Sequence, residues 1–365
     1  MRPLFFGFIL ITLLSAETVK VSAVPTTLPK NIHIPAVFAF GDSIVDPGNN
    51  NHLYTTLKSN FPPYGRDFIG GKPSGRYSNG KIPTDLLVKL LGLKELLPAY
   101  LDPALKPQDL LTGVSFASGG AGYDPVTAQL VTVLGLPDQL NLFKQCIGTL
   151  KTIAGEERTA NILSNSLFLV FAGSDDIAGT YYTSPISPRR FQYDIQSYTD
   201  LMARYAIGFV QDLVKLGARR IGLYGAPPIG CVPTVRTLLG GKQRQCADKL
   251  NKAALMFNSK LSTSLRNLKH NPNVTAVYVD LYNPLLELIN NPRPHGFEIV
   301  DRGCCGTGKV ESTMLCNQFS PCTCQDVSKY LFWDSYHPSQ KGYEALMGPV
   351  IQSSFKSFFG SNNNP

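Results

Sequence analysis

The sequence predicts an α/β protein, a three-layer α/β/α sandwich with a central, mostly parallel sheet. Four short apolar runs rich in β-branched or aromatic residues are typical of buried parallel strands. Longer segments with helical periodicity lie between these runs. Strands that alternate with helices along a chain form a parallel sheet with helices on both faces. The expected architecture is therefore flavodoxin-like.

The predicted elements follow one another in a regular order. The predicted strands lie at residues 36–40, 167–172, 220–224 and 274–279. The predicted helices lie at residues 83–91, 138–153, 193–216, 247–268 and 340–358. Ligands of open sheets bind beyond the carboxyl ends of the strands. Ser43 follows the first strand, Asp175 the second and Gly225 the third, so we expect all three at one edge of the sheet.

No linker divides the chain into separate domains. Its 365 residues are 43% hydrophobic and 16% charged, which suits one large globular domain or two small ones. No internal repeat, low-complexity tract or segment rich in Gly, Ser or charge separates two halves. We therefore predict a single domain over residues 24–365, after a targeting segment at residues 1–23.

The amino terminus has the pattern of a secretory signal peptide. Arg2 precedes an apolar run at residues 4–14, and cleavage would fit after Val21-Ser22-Ala23 or at Ala16. The run is too short to span about 30 Å of hydrocarbon, which argues against a membrane anchor. No other stretch approaches that length. We expect a secreted, extracellular protein without stable membrane insertion.

The charge of the chain is basic, with a formal net charge of +8. The positive residues are scattered, and the tight pairs are Arg189 with Arg190 and Arg219 with Arg220. The sequence has no interleaved basic and aromatic array, so we expect no nucleic acid partner. A solvated surface accounts for this charge. The alternative is weak attraction to acidic wall polysaccharides or anionic interfaces.

The cysteine pattern predicts disulfides rather than a metal site. Five of the eight cysteines lie from Cys304 to Cys324, without the paired Cys-x-x-Cys spacing of a zinc knuckle. Disulfides are favoured in exported proteins. The sequence does not fix their connectivity, although Cys231 and Cys246 would close a short local loop. A glycosylation sequon at Asn273 would have to lie on the surface.

The most informative residues are a serine near one end of the chain and an Asp–His pair near the other. Ser43 ends the Phe40-Gly41-Asp42-Ser43 segment, directly after the first strand, and Asp334 and His337 are three residues apart. They supply a nucleophile, a group that orients the base, and the base itself. Either motif alone is short enough to occur by chance. The Gly-x-Ser-x-Gly elbow of another hydrolase class does not surround Ser43.

An ordered series of segments raises the specificity of this pattern. The chain resembles the plant GDSL esterase/lipase family, which is SGNH-hydrolase-like, over nearly all of its predicted mature length. The segments that carry the resemblance lie at residues 40–51, 62–68, 74–80, 113–122, 225–233, 304–308 and 332–338.

The resemblance implies an oxyanion hole in addition to the Ser43, Asp334 and His337 triad. In this family the donors are the backbone N–H of the serine, a glycine of the second block and an Asn of the third block. They correspond here to Ser43, to Gly120 in preference to its neighbour Gly119, and to Asp175. The third block reads Gly-Ser-Asp-Asp where the family usually has Gly-x-Asn-Asp. Asp175 is alternatively a solvent-facing carboxylate or a helix cap.

The sequence thus predicts a secreted serine esterase or lipase that acts through an acyl-serine intermediate, without a cofactor or metal. Its substrate would be a small-molecule or lipid ester, or an ester of a cell-wall polymer in the wall or apoplast. An acyltransferase and a polysaccharide deacetylase would use the same residues. A non-catalytic wall- or lipid-binding protein would keep only the fold. The best support for that alternative is the presence of Asp175 where the family usually has Asn. The oligomeric state is not predicted.

Overall fold

The central sheet contains four parallel strands in the order β1-β2-β3-β4. The computed structural model describes residues 33–185, 187–267 and 273–360, so the segment predicted at residues 1–23 lies outside it. The strands are β1 (Val37–Gly41), β2 (Leu167–Phe171), β3 (Arg220–Tyr224) and β4 (Thr275–Val279). The four strand predictions are confirmed, with ends that differ by at most one residue.

A further segment extends the sheet beyond β1. The Ala39 N–H donates to the Val114 carbonyl at 3.1 Å, and the Phe116 N–H donates to the Ala39 carbonyl at 2.8 Å. One residue pair at this edge, Ala39 with Ser115, forms a parallel bridge. The chain after Ser115 therefore reaches the carboxyl end of β1, close to the position where Ser43 leaves the sheet.

Ten α-helices accompany the sheet within the described residues. They are α1 (Pro83–Leu90), α2 (Pro125–Val131), α3 (Leu136–Ala154), α4 (Glu156–Asn165), α5 (Pro188–Gln192), α6 (Ile195–Lys215), α7 (Pro233–Leu239), α8 (Asp248–Asn267), α9 (Tyr282–Asn290) and α10 (Gln340–Phe359). The five predicted helices correspond to α1, α3, α6, α8 and α10, with ends within two residues. None of the described helices is long and apolar enough to cross a bilayer.

The helices lie in two layers, which confirms the predicted sandwich. On one face α3 packs on β1 and contacts α6, which in turn packs on α8. On the other face α10 packs on β4 and contacts α1 and α9. The core between β1, β2 and α3 is aromatic: the ring of Phe143 lies 5.4 Å from Phe38, 5.5 Å from Phe40 and 5.6 Å from Phe168. These rings fix the sheet against its helical layer.

A cysteine-rich loop, residues 304–329, separates two short parallel strands near the carboxyl end. The strands are β5 (Ile299–Gly303) and β6 (Tyr330–Phe332). Two disulfides, Cys304–Cys324 and Cys305–Cys316, close this loop. A third joins Cys231 to Cys246, as predicted. Among the described residues, Cys146 is free and buried, and Cys322 is free and exposed.

Disulfide mapping tests this connectivity. The folded, non-reduced protein should contain three disulfides, and a thiol reagent should modify one cysteine, Cys322, because Cys146 is buried. Labelling of Cys146 should require denaturant. Peptide mapping by mass spectrometry checks both expectations, with the Cys322→Ser variant as the control for the exposed thiol. Rapid labelling of Cys304 or Cys305 in the native protein would contradict the assigned pairs.

Candidate active site

Ser43 lies in the tight turn that follows β1. Gly41, the last residue of that strand, has a φ of +128°, a conformation that favours glycine. A side chain there would also collide with the backbone of Phe171 in β2. The Asp42 N–H donates to the Phe171 carbonyl at 2.8 Å. The next residue, Ser43, leaves the sheet at its carboxyl edge, where it meets residues from the far end of the chain.

The structure brings Ser43, His337 and Asp334 together in one continuous chain of hydrogen bonds. Oγ of Ser43 lies 2.7 Å from Nε2 of His337. Nδ1 of the same ring lies 2.8 Å from Oδ2 of Asp334. With its proton on Nδ1, the imidazole donates to the carboxylate and accepts from the serine hydroxyl. This geometry allows His337 to take the proton from Ser43 during attack.

The Asp334 carboxylate is buried but well supplied with donors. Oδ1 accepts the N–H groups of Tyr336 at 2.7 Å and His337 at 2.6 Å. Oδ2 accepts the hydroxyl of Tyr64 at 2.6 Å and that of Ser312 at 3.3 Å. Burial alone would raise the pKa of Asp334, but His337 and these donors outweigh it and hold the pKa below its usual value. Asp334 is therefore ionised over the range in which His337 must act.

The N–H groups of Ser43 and Gly120 are the backbone donors that the sequence predicts for an oxyanion hole. Within the described part of the chain, neither the Ser43 N–H nor the Gly120 N–H has an acceptor. The Gly119 N–H, in contrast, donates to Oδ2 of Asp46 at 2.9 Å. Gly120 has a φ of +90°, so its conformation also favours glycine. Of the two glycines considered from the sequence, Gly120 has the available donor.

Asp175 follows β2 and contacts Tyr336, next to His337, rather than capping a helix. It precedes the π-helical turn Asp176–Thr183 without a side-chain cap bond. Its Oδ1 accepts the Tyr336 hydroxyl at 3.5 Å, and its Oδ2 is buried without a hydrogen-bond partner in the described structure. Burial raises the pKa of Asp175 to about 6, although His337 and the Tyr336 hydroxyl act in the opposite direction. The carboxyl group can therefore gain a proton in mildly acidic solution.

A second buried carboxyl group belongs to Asp42, the residue between β1 and Ser43. Its Oδ1 accepts the Ile44 N–H at 3.0 Å, while its Oδ2 has no partner in the described residues. Burial raises the pKa of Asp42 well above its usual value, and the nearby charge of Asp175 adds to the effect. Burial thus raises the pKa of both carboxyl groups, in contrast to that of Asp334.

Comparison with known proteins identifies the family of this chain. Residues 37–348 match the family model described as GDSL-like lipase/acylhydrolase. The chain belongs to this GDSL family. GDSL esterase/lipase EXL3 from Arabidopsis thaliana is 50% identical over 349 residues, which cover 95% of each chain. EXL2 from the same plant is 48% identical over 333 residues, which cover 87% of each chain. Phospholipase A1 from Streptomyces albidoflavus NA297 covers 88% of this chain and 100% of its own, at 13% identity and a TM-score of 0.42.

Three tyrosines contact the triad or Asp175, and the sequence did not predict these contacts. Tyr64 donates to Asp334, the ring of Tyr77 packs 5.0 Å from that of His337, and Tyr336 donates to Asp175. All three lie in segments that matched the GDSL family, at residues 62–68, 74–80 and 332–338. Their place in those segments was the available signal, but no local pattern assigned them a role.

Tyr64 connects Asp334 to the cysteine-rich loop. Its hydroxyl donates to Asp334 and accepts the Thr313 N–H at 2.8 Å. Its ring is buried in a small cluster with Trp333 and three cysteines, Cys304, Cys305 and Cys316. The described residues contain no group of three or more His, Cys, Asp and Glu side chains that could hold a metal ion. Tyr64 thus links Asp334 to the part of the loop that the disulfides close.

Removal of the Tyr64 hydroxyl should weaken the triad without removing a triad member. We expect Tyr64→Phe to lower the rate at which a fluorophosphonate labels Ser43 by about tenfold, because a hydrogen bond to a charged group is worth roughly 1.5–3 kcal/mol. Tyr123→Phe is the matched control, since the Tyr123 hydroxyl is buried without a partner in the described residues. Equal labelling rates for wild type and Tyr64→Phe, with both folded by circular dichroism, would show that Tyr64 does not position Asp334.

Proposed function

We propose that this protein is a secreted serine esterase or lipase that hydrolyses carboxylic esters through an acyl-serine intermediate. The observation that carries the proposal is the hydrogen-bond chain from Ser43 through His337 to Asp334, with distances of 2.7 and 2.8 Å. The membership in the GDSL family and the names of the Arabidopsis relatives support the same reaction class. The ester would come from a small molecule, a lipid or a cell-wall polymer.

The proposed reaction proceeds in two halves. Ser43 Oγ attacks the ester carbonyl while His337 Nε2 takes the hydroxyl proton, and Asp334 stabilises the imidazolium. The N–H groups of Ser43 and Gly120 donate to the oxyanion of the tetrahedral intermediate. The carbon–oxygen bond to the alcohol then breaks, and His337 gives its proton to the leaving alkoxide. His337 then takes a proton from water as the water oxygen attacks the acyl carbon. The bond between that carbon and Ser43 Oγ breaks, His337 returns the proton to Oγ, and the acid leaves.

Extracellular location and glycosylation belong to the same proposal. The three disulfides are consistent with an oxidising compartment. Asn273 of the sequon is exposed, two residues before β4 begins. Expression of the full chain in a secreting eukaryotic host tests both points. The proposal predicts an amino terminus near residue 24 in the secreted protein and a mass that glycosidase treatment lowers.

The nucleophile can be identified directly. A fluorophosphonate should label Ser43 in the wild type, and Ser43→Ala should lose both the label and nearly all p-nitrophenyl ester hydrolysis, as typical losses reach several powers of ten. His337→Ala should be at least as damaging as Asp334→Asn, because the first removes the base and the second only its orientation.

Other results of these experiments would contradict different parts of the proposal. More than about a tenth of the wild-type rate in Ser43→Ala would contradict the assignment of the nucleophile. A folded protein that neither labels nor hydrolyses any ester would support the binding-protein alternative. Product analysis with an added alcohol acceptor would detect acyl transfer in place of hydrolysis.

The third oxyanion contact is part of the proposal, with protonated Asp175 in place of the usual Asn. A neutral carboxyl can donate a hydrogen bond to an oxyanion, as an amide does. An ionised carboxylate about 4 Å from the oxyanion would oppose it by roughly 4 kcal/mol at an effective dielectric constant near 20. That is close to the full value of one oxyanion donor. The raised pKa of Asp175, about 6, supports the neutral form in acidic solution only.

The Asp175→Asn variant tests this role through its pH dependence. The ratio of variant to wild-type kcat should be near one at pH 5 and should rise through about pH 6, the pKa of Asp175, to at least about tenfold at pH 8. The ratio cancels the titration of groups that the substitution does not affect. Because a raised carboxyl pKa stabilises the fold only below that pKa, the variant should also gain thermal stability relative to wild type above pH 6.

The two measurements separate the possible failures. A gain in stability above pH 6 without a gain in kcat would show that Asp175 is buried but does not face the oxyanion. A large loss of kcat at every pH would show that the carboxyl has a positive role that an amide cannot fill. Either result would reject Asp175 as a pH-dependent oxyanion donor.

A further inference from the structure

A small apolar cavity adjoins the catalytic histidine. It lies between the carboxyl end of β2, the segment after β3, and helices α9 and α10, with a volume of about 30 Å³. Its walls are mainly apolar side chains, among them Phe171, Ile229, Leu281, Leu285, Leu346 and Met347. A cavity with mainly apolar walls favours hydrocarbon, because it removes apolar surface from water.

The cavity borders one of the reacting groups and residues adjacent in sequence to Ser43 and His337. His337 forms part of its wall, and so do Ile44, which follows Ser43, and Tyr336, which precedes His337. Ile44 and Tyr336 are the lining residues that are partly exposed, whereas the others are buried. The mouth of the cavity therefore lies between the residue after the nucleophile and the residue before the base.

We propose that this cavity binds the acyl chain of the ester and restricts the enzyme to short aliphatic acyl groups, from acetyl to about butyryl. The inference rests on the proposed function. The acyl carbon is bonded to Ser43 Oγ in the intermediate, so its chain begins beside Ile44 and can enter the cavity there. Each methylene that becomes buried should raise kcat/KM about fourfold, which corresponds to about 0.8 kcal/mol.

The size of the cavity sets the limit on chain length. One water molecule needs roughly 10–15 Å³, and an engineered cavity of roughly 150 Å³ accepts benzene. A volume of about 30 Å³ therefore holds one or two carbon atoms unless side chains move, so a butyryl chain fits only with its first methylene at the mouth. Leu285 of α9 and Met347 of α10 contribute the long aliphatic side chains to the helical wall, and both are buried.

The test compares p-nitrophenyl esters of two to twelve carbons with wild type, Leu285→Ala and Met347→Ala. Wild-type kcat/KM should peak at three or four carbons and should fall at least tenfold by eight carbons. Each alanine variant should raise the octanoate-to-acetate ratio at least tenfold, because it lengthens the cavity. The ratio does not depend on the fraction of enzyme that folds, which matters since such truncations often cost 2–5 kcal/mol.

Ile289→Ala is the matched control. Ile289 lies one turn beyond Leu285 on α9, is equally buried, and does not line the cavity. It should destabilise the protein to a similar extent but leave the chain-length ratio at the wild-type value. A change of the ratio in Ile289→Ala equal to that in Leu285→Ala would show that general loosening of α9, and not the cavity, sets chain length.

Measurements on the wild type decide the matter if the variants do not fold. Rates of inactivation by alkyl fluorophosphonates should be faster with a propyl than with an octyl chain. Labelling of Ser43 with a preference for octyl chains or longer would overturn the acyl cavity and leave the proposed function intact. Failure of every probe to label Ser43, together with no ester hydrolysis, would overturn the proposed function and this inference with it.

Discussion

The parallel hydrogen bonding of β1 on both of its edges is the constraint on which the rest of the structure depends. One edge pairs in register with β2, and the other receives the backbone of Val114 and Phe116. The carboxyl ends of these segments consequently meet at one place. Ser43 and Asp175 lie more than 130 positions apart in the sequence, yet both emerge at that edge, beside the segment that carries Gly120. The triad then needs only one further element, the end of β6, to bring in Asp334 and His337.

Two buried carboxyl groups on either side of His337, Asp334 and Asp175, differ in the hydrogen bonds they receive and therefore in their pKa. At Asp334 the imidazole and several N–H and O–H donors outweigh burial, and the group stays charged. At Asp175 one long hydrogen bond and the field of His337 do not outweigh it, and the pKa rises. Both groups are buried, yet Asp334 stays ionised whereas Asp175 titrates near pH 6. The difference lies in the number of donors that each oxygen receives.

The sequence predicts the parts of this protein whose signals are local. The four strands and five of the ten described helices follow from hydrophobic periodicity, and the triad follows from short motifs, the first of them placed after a strand. The other five helices, α2, α4, α5, α7 and α9, were not predicted, because with five to ten residues each they contain at most three turns of a periodic pattern. The role of Tyr64 depends on a contact across 270 positions, and the pairing of Cys304 with Cys324 is one of several that spacing allows. Such long-range choices are made by the folded chain as a whole.

The contact between Tyr64 and the cysteine-rich loop makes the surroundings of Asp334 depend on disulfide formation. The carboxylate that holds the base takes one donor, Ser312, from a loop closed by two disulfides, and its other hydroxyl donor, Tyr64, is itself held by Thr313 of that loop. A newly made chain with free thiols lacks this closed loop. The two disulfides therefore hold in place the loop that supplies Ser312 and Thr313, and we expect the full set of hydrogen bonds around Asp334 to form only once both are oxidised.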